Sequence, residues 1–508
     1  MESRDKKPTR RLFPLALLFV AIGLACSCPG FSIFSRPTNA PPPTFTPPYT
    51  VPPTLPPTQF PTLPPTQTTP GQQALNPGAP WMIINSTAGL WAANPDGTGM
   101  QQLLAGNQWQ SDFSWAIQPK GNLVVVITSG ADHYHNLALN LLSLPDGSLK
   151  KITDLSNSQT EPAPDEGPGS NAMEAMRAIS EHTSYCWSPD GTRLAFIGAM
   201  DGPSADVYLY DLASGAITRV STDPAQDFSP SWSPDGNHLL FLGADGFGSG
   251  AGMVMNGVWS ADGDGSNVTL LYPTTSTGEE MFGWRDNQTA VLDTWDVVNG
   301  PAHLRLYNIT TKETTSLASG HVSTAVADSG NLFSSADPGA VLFGGDTGLW
   351  LMPSNQNDPT FLSGNQVDSV QWIRDSSMFE VRFSDGSLAT YEADGNDRQD
   401  APAALSTAGY APINVAMYGA IWAWTEGAGD TPGVWITGPG LDIPQVFTDP
   451  AIAPLWDPHN NLTFFSGSTL YRTTFDSFYS DLNPVANVSG DIESASWVGS
   501  KGFDIYGR

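Results

Sequence analysis

Cysteine is scarce in this chain. Only three of the 508 residues are cysteines, and Cys186 is the only one after residue 28. A disulfide framework is therefore excluded for the body of the protein. Cys186 lies in an apolar segment beside Trp187, which favours a buried free thiol. No arrangement of histidine and aspartate near it suggests a nucleophile.

Basic residues are also few. Lysine and arginine total 21 against 50 aspartates and glutamates, and the formal net charge is −29. Because phosphate binding needs a basic surface, this balance argues against nucleic acid as a partner. It also argues against direct adhesion to anionic lipid. A strongly acidic surface favours solubility outside the cell.

Helical patterns are nearly absent. Only residues 171–182 have helical spacing, with Met173, Met176 and Ile179 along one side. The rest of the chain alternates short apolar runs with turns rich in glycine, proline and aspartate. An all-β fold is therefore expected.

Two segments repeat one sequence 45 residues apart. Residues 183–198 read TSYCWSPDGTRLAFIG, and residues 228–243 read FSPSWSPDGNHLLFLG. In each segment an apolar strand ends at a tryptophan, Trp187 or Trp232, and Ser-Pro-Asp-Gly forms a tight turn. Three further strands follow the turn. A repeat of this length predicts four antiparallel strands per unit.

The repeat resembles the WD40-like repeat of TolB-type β-propellers. The Trp-Ser-Pro-Asp-Gly phrase and a later Asp-Gly or Ser-Gly turn carry the resemblance. It implies a single β-propeller of four-stranded antiparallel blades over residues 80–508. Eight blades are expected, within a range of seven to nine. The first-strand position recurs at Trp115, Trp187, Trp232, Trp284, Val326, Trp372, Ala416, Trp456 and Trp497.

The two ends of the propeller segment complement each other. Residues 81–85 and 89–94 read as second and third strands with no first strand before them. Residues 494–498 read as a first strand. Pairing these fragments into one blade removes an open sheet edge, so we expect the propeller to close in this way.

The N-terminal region has the features of an export signal and a spacer. Basic residues precede the apolar run 12–25, which ends Ile-Gly-Leu-Ala-Cys26 and resembles a bacterial lipobox, although Gly23 stands where leucine is usual. Residues 1–28 are thus predicted to be a signal or anchor with Cys26 lipidated. An uncleaved anchor and simple secretion remain alternatives.

Residues 29–79 are predicted to be an extracytoplasmic linker. Within residues 37–70, fourteen of 34 residues are proline and ten are threonine, a composition that favours an extended, semi-rigid spacer. All readings of the N-terminus place the propeller outside the cytoplasm, at the cell surface or in the periplasm. Tethering to the cytoplasmic membrane would occur only through the N-terminal anchor.

Strand parity predicts where a ligand binds. Loops between strands 1–2 and 3–4 leave a blade at one edge, and loops 2–3 and 4–1 leave at the other. Short turns fall at the first edge. The longer segments 130–136, 156–182, 200–205 and 243–257 fall at the second. Since binding residues usually lie on loops carried by a rigid scaffold, we expect function at the second edge.

Four residues in one of these loops are candidates for binding: Asp132, His133, Tyr134 and His135. Asp132, His133 and His135 are also candidate metal ligands, because His-x-His in a turn can bring two imidazoles to one side. The alternative is a group of solvated polar loop residues. No cofactor is predicted.

Two classes of function remain. The first is a monomeric, non-catalytic protein-binding or scaffolding module, as TolB-type propellers imply. The alternative is a propeller-based enzyme or carbohydrate-binding protein acting on extracellular glycans, with a polysaccharide in place of the protein partner. Glycan cleavage needs two carboxylates across a sugar site, which spacing cannot select here. A propeller peptidase needs a Gly-x-Ser-x-Gly elbow, and the sequence has none.

Overall fold

The structure, a computed structural model, describes residues 74–498 with short gaps. Contacts divide the chain into Met1–Phe60 and Pro61–Arg508, and every described residue belongs to the second unit. The predicted signal, Cys26 and nearly all of the linker lie outside the description and stay predictions. The residues not described are 1–73, 79, 107–108, 111–115, 120, 131–133, 158–159, 164–169, 181–183, 249–251, 274–277, 297–299, 320–321, 328–336, 338, 373–377, 402–412, 416–420, 427–431, 438–444, 458 and 499–508.

The described residues form nine four-stranded antiparallel sheets, called blades 1 to 9 below. Blade 1 comprises β36 (Ile492–Val498), β1 (Trp81–Ser86), β2 (Gly89–Ala93) and β3 (Gln101–Ala105). Blade 2 comprises β4 (Trp109–Gln110), β5 (Leu123–Thr128), β6 (Ala138–Ser143) and β7 (Leu149–Asp154). Blade 3 comprises β8 (Tyr185–Trp187), β9 (Arg193–Gly198), β10 (Asp206–Asp211) and β11 (Ile217–Arg219).

The next three blades follow the same order. Blade 4 comprises β12 (Gln226–Trp232), β13 (His238–Gly248), β14 (Gly252–Asp262) and β15 (Thr269–Pro273). Blade 5 comprises β16 (Gly278–Trp284), β17 (Thr289–Asp296), β18 (Gly300–Asn308) and β19 (Thr314–Ser319). Blade 6 comprises β20 (Val322–Ala327), β21 (Val341–Gly345), β22 (Gly348–Met352) and β23 (Thr360–Ser363).

Three further blades and one helix complete the described elements. Blade 7 comprises β24 (Val367–Trp372), β25 (Met378–Phe383), β26 (Leu388–Glu392) and β27 (Gln399–Asp400). Blade 8 comprises β28 (Ile413–Val415), β29 (Trp422–Glu426), β30 (Gly433–Thr437) and β31 (Gln445–Phe447). Blade 9 comprises β32 (Ile452–Trp456), β33 (Leu462–Ser466), β34 (Thr469–Thr473) and β35 (Asn483–Asn487). The helix α1 (Asn171–Ser180) lies between blades 2 and 3 in the sequence, where the helical spacing predicted it.

The all-β propeller prediction is confirmed, and the nine sheets lie within the expected range of seven to nine blades, one more than the favoured number of eight. The two units without the repeated tryptophan form complete sheets: β20 holds Val326 in register with Leu342, and β28 ends directly before Ala416. Main-chain pairing and apolar second and third strands are enough to build a blade there, so the tryptophan is dispensable. Trp115 and Ala416 themselves lie outside the described residues.

The predicted closure is confirmed in blade 1. Strand β36 is its first strand and pairs with β1 in antiparallel register, with Trp497 opposite Met82 and Val498 opposite Trp81. First strands of neighbouring blades contact each other at β8–β12, β16–β20, β20–β24, β28–β32 and β32–β36. The C-terminal strand therefore links blade 9 to the N-terminal strands of blade 1.

The repeated tryptophan connects neighbouring blades. The indole Nε1 of Trp232 donates to the carbonyl of Cys186 at 3.0 Å, and that of Trp284 donates to Ser231 at 3.3 Å. Trp187 donates in the same way to Ala116. Each indole thus reaches a main-chain carbonyl near the first strand of the preceding blade. A buried indole N–H needs such an acceptor, and the preceding blade supplies it in these three cases.

The two edges of the blades differ, although less simply than expected. We call the edge with loops 2–3 and 4–1 the insertion face, and the other the turn face. Residues 243–257, expected as a loop, instead belong mostly to β13 and β14, which extend as a long hairpin. On the turn face the segments 328–340 and 474–482 are longer than the predicted short turns. The longest connection, 155–184, is on the insertion face.

Candidate functional site

The insertion face of blades 2 to 4 is one connected surface. The connection 155–184 follows β7 and contains α1, which packs against β9, β12 and β13. The Leu155 carbonyl accepts a hydrogen bond from Ala199 N at 2.7 Å, and Asn157 Nδ2 donates to the Met200 carbonyl at 3.0 Å. The insertion is thereby fixed to the loop between β9 and β10.

A second set of hydrogen bonds fixes the loop between β5 and β6 to the same insertion. His135 Nε2 lies 2.9 Å from the Pro162 carbonyl, and the Asn136 amide donates to Glu161 Oε1 at 2.8 Å. The same Glu161 oxygen accepts from Ser156 Oγ at 2.9 Å. The Glu161 carboxylate therefore joins the loop between β5 and β6 to the insertion, two segments that are distant in sequence.

Of the four candidate binding residues, two are described. Tyr134 is half-buried and packs against the main hydrophobic core, and His135 is half-buried. Since a carbonyl only accepts hydrogen bonds, His135 Nε2 carries the proton and only Nδ1 can bind a metal. Asp132 and His133 lie outside the described residues, so the metal site stays a prediction.

Replacing Glu161 with alanine is expected to loosen the insertion, because it removes the acceptor shared by Asn136 and Ser156. The measurement is limited proteolysis, with faster cleavage within 155–184 than in the parent protein. Glu161→Gln keeps a carbonyl acceptor and serves as the control. Equal cleavage rates for all three proteins would show that this carboxylate does not hold the insertion.

An acidic cluster lies at the same face between blades 3 and 4. Asp206, at the start of β10, is fully buried and accepts a hydrogen bond from Arg219 at 2.8 Å. Tyr208 on the same strand donates through its hydroxyl to Asp201 at 3.2 Å. Burial raises the pKa of Asp206 to about 6, although Arg219 opposes the shift. Nearby carboxylates, Asp223 and Asp201, raise it further.

Asp227 of β12 is the most deeply enclosed member. Its amide donates to the Ala205 carbonyl at 2.8 Å, and its side chain is fully buried. Burial raises its pKa well above the usual range, and the charges of Asp223 and Asp206 add to this effect. Neither carboxylate oxygen has a hydrogen-bonding partner of regular geometry among the described residues. The Ser221 hydroxyl is nevertheless close enough to lower the pKa in part.

The cluster reaches the surface of the insertion face. Asp201 is exposed, Asp223 is half-buried, and the side chain of Arg219 is 28% exposed. We call this group of four carboxylates and one guanidinium the Arg219 cluster. Its members are Asp201, Asp206, Asp223, Asp227 and Arg219. Such an arrangement attracts cations and can exchange a proton near neutral pH.

Sequence reasoning did not find the Arg219 cluster. Its members lie on β10, β11, β12 and two loops, and among 50 acidic residues no spacing distinguishes them. The one available signal was strand parity. Strand parity placed residues 200–205 on the insertion face, and Asp201 belongs to that segment.

Two other sequence expectations concern reactivity and the membrane. Cys186 is a free thiol, half-buried, and burial raises its pKa to about 11, which disfavours the nucleophilic thiolate. In the part of the chain that the structure describes, no helix has both the length and the apolar character needed to span a membrane.

The topology and closure define this protein as a β-propeller. TolB from Acinetobacter baumannii is similar, with 17% identity over 56% of this chain and 65% of the TolB chain, at a TM-score of 0.31. The dipeptidyl peptidase 4 of Porphyromonas gingivalis is 10% identical over 80% of this chain and 64% of its own, at 0.47.

An oligogalacturonate lyase from Vibrio parahaemolyticus is 14% identical over 58% of this chain and 87% of its own, at a TM-score of 0.32. No family model matches the sequence, and a search of curated proteins gives no match. These similarities concern the fold. They include a non-enzyme and enzymes, so they assign no activity, ligand or partner to this chain.

Proposed function

We propose that this chain is an extracytoplasmic, non-catalytic protein-binding module whose partner docks on the insertion face of blades 2 to 4. The observation that carries the proposal is the connected surface itself. Loops from two blades and the α1 insertion are joined by hydrogen bonds through Glu161, Pro162 and Met200. A pre-ordered surface reduces the conformational entropy lost on binding.

The N-terminal sequence supports the location in this proposal. Lipidation at Cys26 and a Pro/Thr-rich spacer would hold the propeller away from the membrane while keeping it near other envelope proteins. The membrane itself is then contacted only by the anchor. The acidic surface suits a protein partner with basic groups better than a nucleic acid.

Site-specific photo-crosslinking in the producing cell tests this function. A photo-reactive amino acid is placed at Pro203 or Pro224, which are exposed on the insertion face, and at Ala213, which is exposed on the turn face. We expect discrete protein adducts from positions 203 and 224 and none from 213. Adducts from all three positions, or from none, would contradict a partner docked on this face.

A glycan enzyme is the competing function, and the raised pKa values of Asp206 and Asp227 are the observation that favours it. A carboxyl that holds its proton near neutral pH has the property required of a general acid. Both side chains, however, are fully buried. Release of reducing ends from extracellular polysaccharide by the purified chain, abolished in Asp206→Asn, would support the enzyme instead.

A further inference from the structure

The turn face of blade 9 carries a pair of exposed aromatic rings. Phe478 is 71% exposed, the largest value for a large hydrophobic side chain among the described residues, and Phe475 is 38% exposed. Both belong to the segment 474–482 between β34 and β35, and their ring centroids lie 6.2 Å apart. We call this pair the Phe478 platform. Single exposed apolar side chains are common on protein surfaces, but two adjacent aromatic rings offer a surface on which an apolar group can pack.

The loop that carries the platform is held in one conformation. The Tyr479 hydroxyl donates to the Asn460 carbonyl at 3.1 Å, so the loop is attached to the core of blade 9. The Asp481 carboxylate accepts from the Thr474 amide at 2.9 Å and from the Thr474 hydroxyl at 2.8 Å. Phe478 and Tyr479 both have positive φ, 51° and 59°, a region that residues with a side chain rarely adopt. Because the loop is already ordered, little conformational entropy is lost when a ligand packs on it.

The N-terminal segment joins the propeller beside this loop. Asn94, at the turn between β2 and β3 on the turn face of blade 1, accepts from the Asn76 amide at 2.7 Å and donates to the Ala74 carbonyl at 3.0 Å. In the same turn, a Cβ added to Gly97 would lie 2.5 Å from the side chain of Val485 in β35. The turn that holds residue 74 therefore packs against the strand that leaves the platform loop.

The segment that precedes residue 74 is rich in proline. Residues 61–67 read Pro-Thr-Leu-Pro-Pro-Thr-Gln and repeat residues 53–59 without change. A polyproline helix has three residues per turn, so Pro61 and Pro64 would lie on the same side of it. Such helices dock on aromatic side chains at low entropic cost, because they are extended before they bind. We propose that residues 61–67 dock on the Phe478 platform of the same chain.

The chain is long enough for this contact. Ala74 is nine residues after Pro65, and nine residues of polyproline helix span roughly 28 Å. Phe478 is seven residues before Val485, which corresponds to at most roughly 25 Å of extended chain. The actual separation is shorter, because main-chain hydrogen bonds fold the segment 474–482 back on itself.

Charge favours this occupant over others. Asp476 lies between the two phenylalanines in the sequence and is exposed, and the whole chain has a net charge of −29. A second copy of the chain and an anionic lipid surface are therefore both repelled. Residues 37–95 contain no charged side chain, so residues 61–67 can approach the platform without repulsion and without loss of charge hydration.

Docking has a consequence for how the propeller is presented. It would fix the tether against the turn face at blades 9 and 1 and shorten its free length. The insertion face, at the opposite edge of the blades, stays open. This inference concerns the turn face and does not depend on a partner at the insertion face.

Photo-crosslinking within the full chain tests the inference. Benzoylphenylalanine replaces Phe478, and in a control protein it replaces Phe361, which is 52% exposed on β23 of blade 6. Mass spectrometry then maps the adducts. We expect intramolecular adducts to residues 61–67 from position 478 and none from position 361. Adducts to another protein, no adducts to 61–67, or equal adducts from both positions would overturn the proposal.

Proline variants test whether the docked segment is recognised. Alanine at Pro61, Pro64 and Pro65 is expected to lower the yield of these adducts by about two- to tenfold. The same three substitutions in the identical repeat, at Pro53, Pro56 and Pro57, are the matched control and should leave the yield at the parent level. Equal yields in both variants would mean that the two segments meet only by proximity, which contradicts docking.

The contribution of the aromatic ring is measured from a neighbouring position. With the photo-reactive residue at Asp476, Phe478→Ala is expected to lower the yield of adducts to residues 61–67 by about two- to tenfold. The Phe478 side chain is mostly exposed, so its truncation leaves the packing of blade 9 intact. An unchanged yield would show that the ring does not hold the segment.

Discussion

Replacing Trp497 with alanine is expected to lower the free energy of unfolding by about 3–5 kcal/mol. The side chain is 1% exposed and packs in a cluster that includes Met82 of β1 and Leu455 of β32. Its indole Nε1 donates to the Trp456 carbonyl at 2.8 Å. The substitution therefore removes both apolar contacts and a buried hydrogen bond at the junction of blades 9 and 1.

Guanidinium denaturation measures this loss, followed by both tryptophan fluorescence and circular dichroism so that non-coincident transitions are detected. Trp497→Phe is the matched control, since it keeps an aromatic ring and loses chiefly the hydrogen bond. Its expected cost is smaller than that of alanine. A loss below about 1 kcal/mol for Trp497→Ala would mean that the closing strand contributes little to stability.

Glu380→Gln is expected to stabilise the protein above pH 7 and to have little effect near pH 4. Glu380 is 5% exposed in the middle of β25, and burial raises its pKa to about 7, although Arg382 opposes the shift. Its Oε2 has no hydrogen-bonding partner among the described residues. Ionising this carboxyl in the folded state is therefore costly.

The direction of this pH dependence follows from which state, folded or unfolded, binds the proton. Between the ordinary glutamate pKa of 4.5 and the folded value of about 7, the folded state keeps the proton and the unfolded state loses it. The free energy of unfolding therefore falls as pH rises through this window and levels off above it. The shift in the pKa of Glu380 corresponds to a loss of about 3 kcal/mol in the free energy of unfolding, as an upper value.

The glutamine variant removes this pH dependence. Its amide can also donate to Thr390, which is opposite position 380 in the sheet and whose Oγ1 lacks a partner among the described residues. Denaturation across about pH 4 to 8 gives the comparison. Glu313→Gln, at an exposed turn position, is the control and should follow the parent protein. Parallel stability curves for parent and Glu380→Gln would contradict the prediction.

The sequence by itself determined the strand pattern and the closure of the propeller. Turn residues such as those of Ser-Pro-Asp-Gly act within a few positions, so the repeat around Trp187 and Trp232 marks its strands without reference to the rest of the chain. Residues 81–85 have no first strand before them, and residues 494–498 form an isolated first strand. These two features predicted that the two segments pair. The helix at 171–180 was visible from its spacing alone.

Only the tertiary structure decided the number of blades and the composition of the site. Blades 6 and 8 lack a tryptophan at the first-strand position, where spacing pointed only to Val326 and Ala416, and main-chain pairing shows that they are complete blades. Three residues, Asp206, Arg219 and Asp227, lie close together because β10, β11 and β12 each have one end at the insertion face. The raised pKa values of Asp206 and Asp227 depend on burial, which packing across blades creates and which no local sequence pattern encodes.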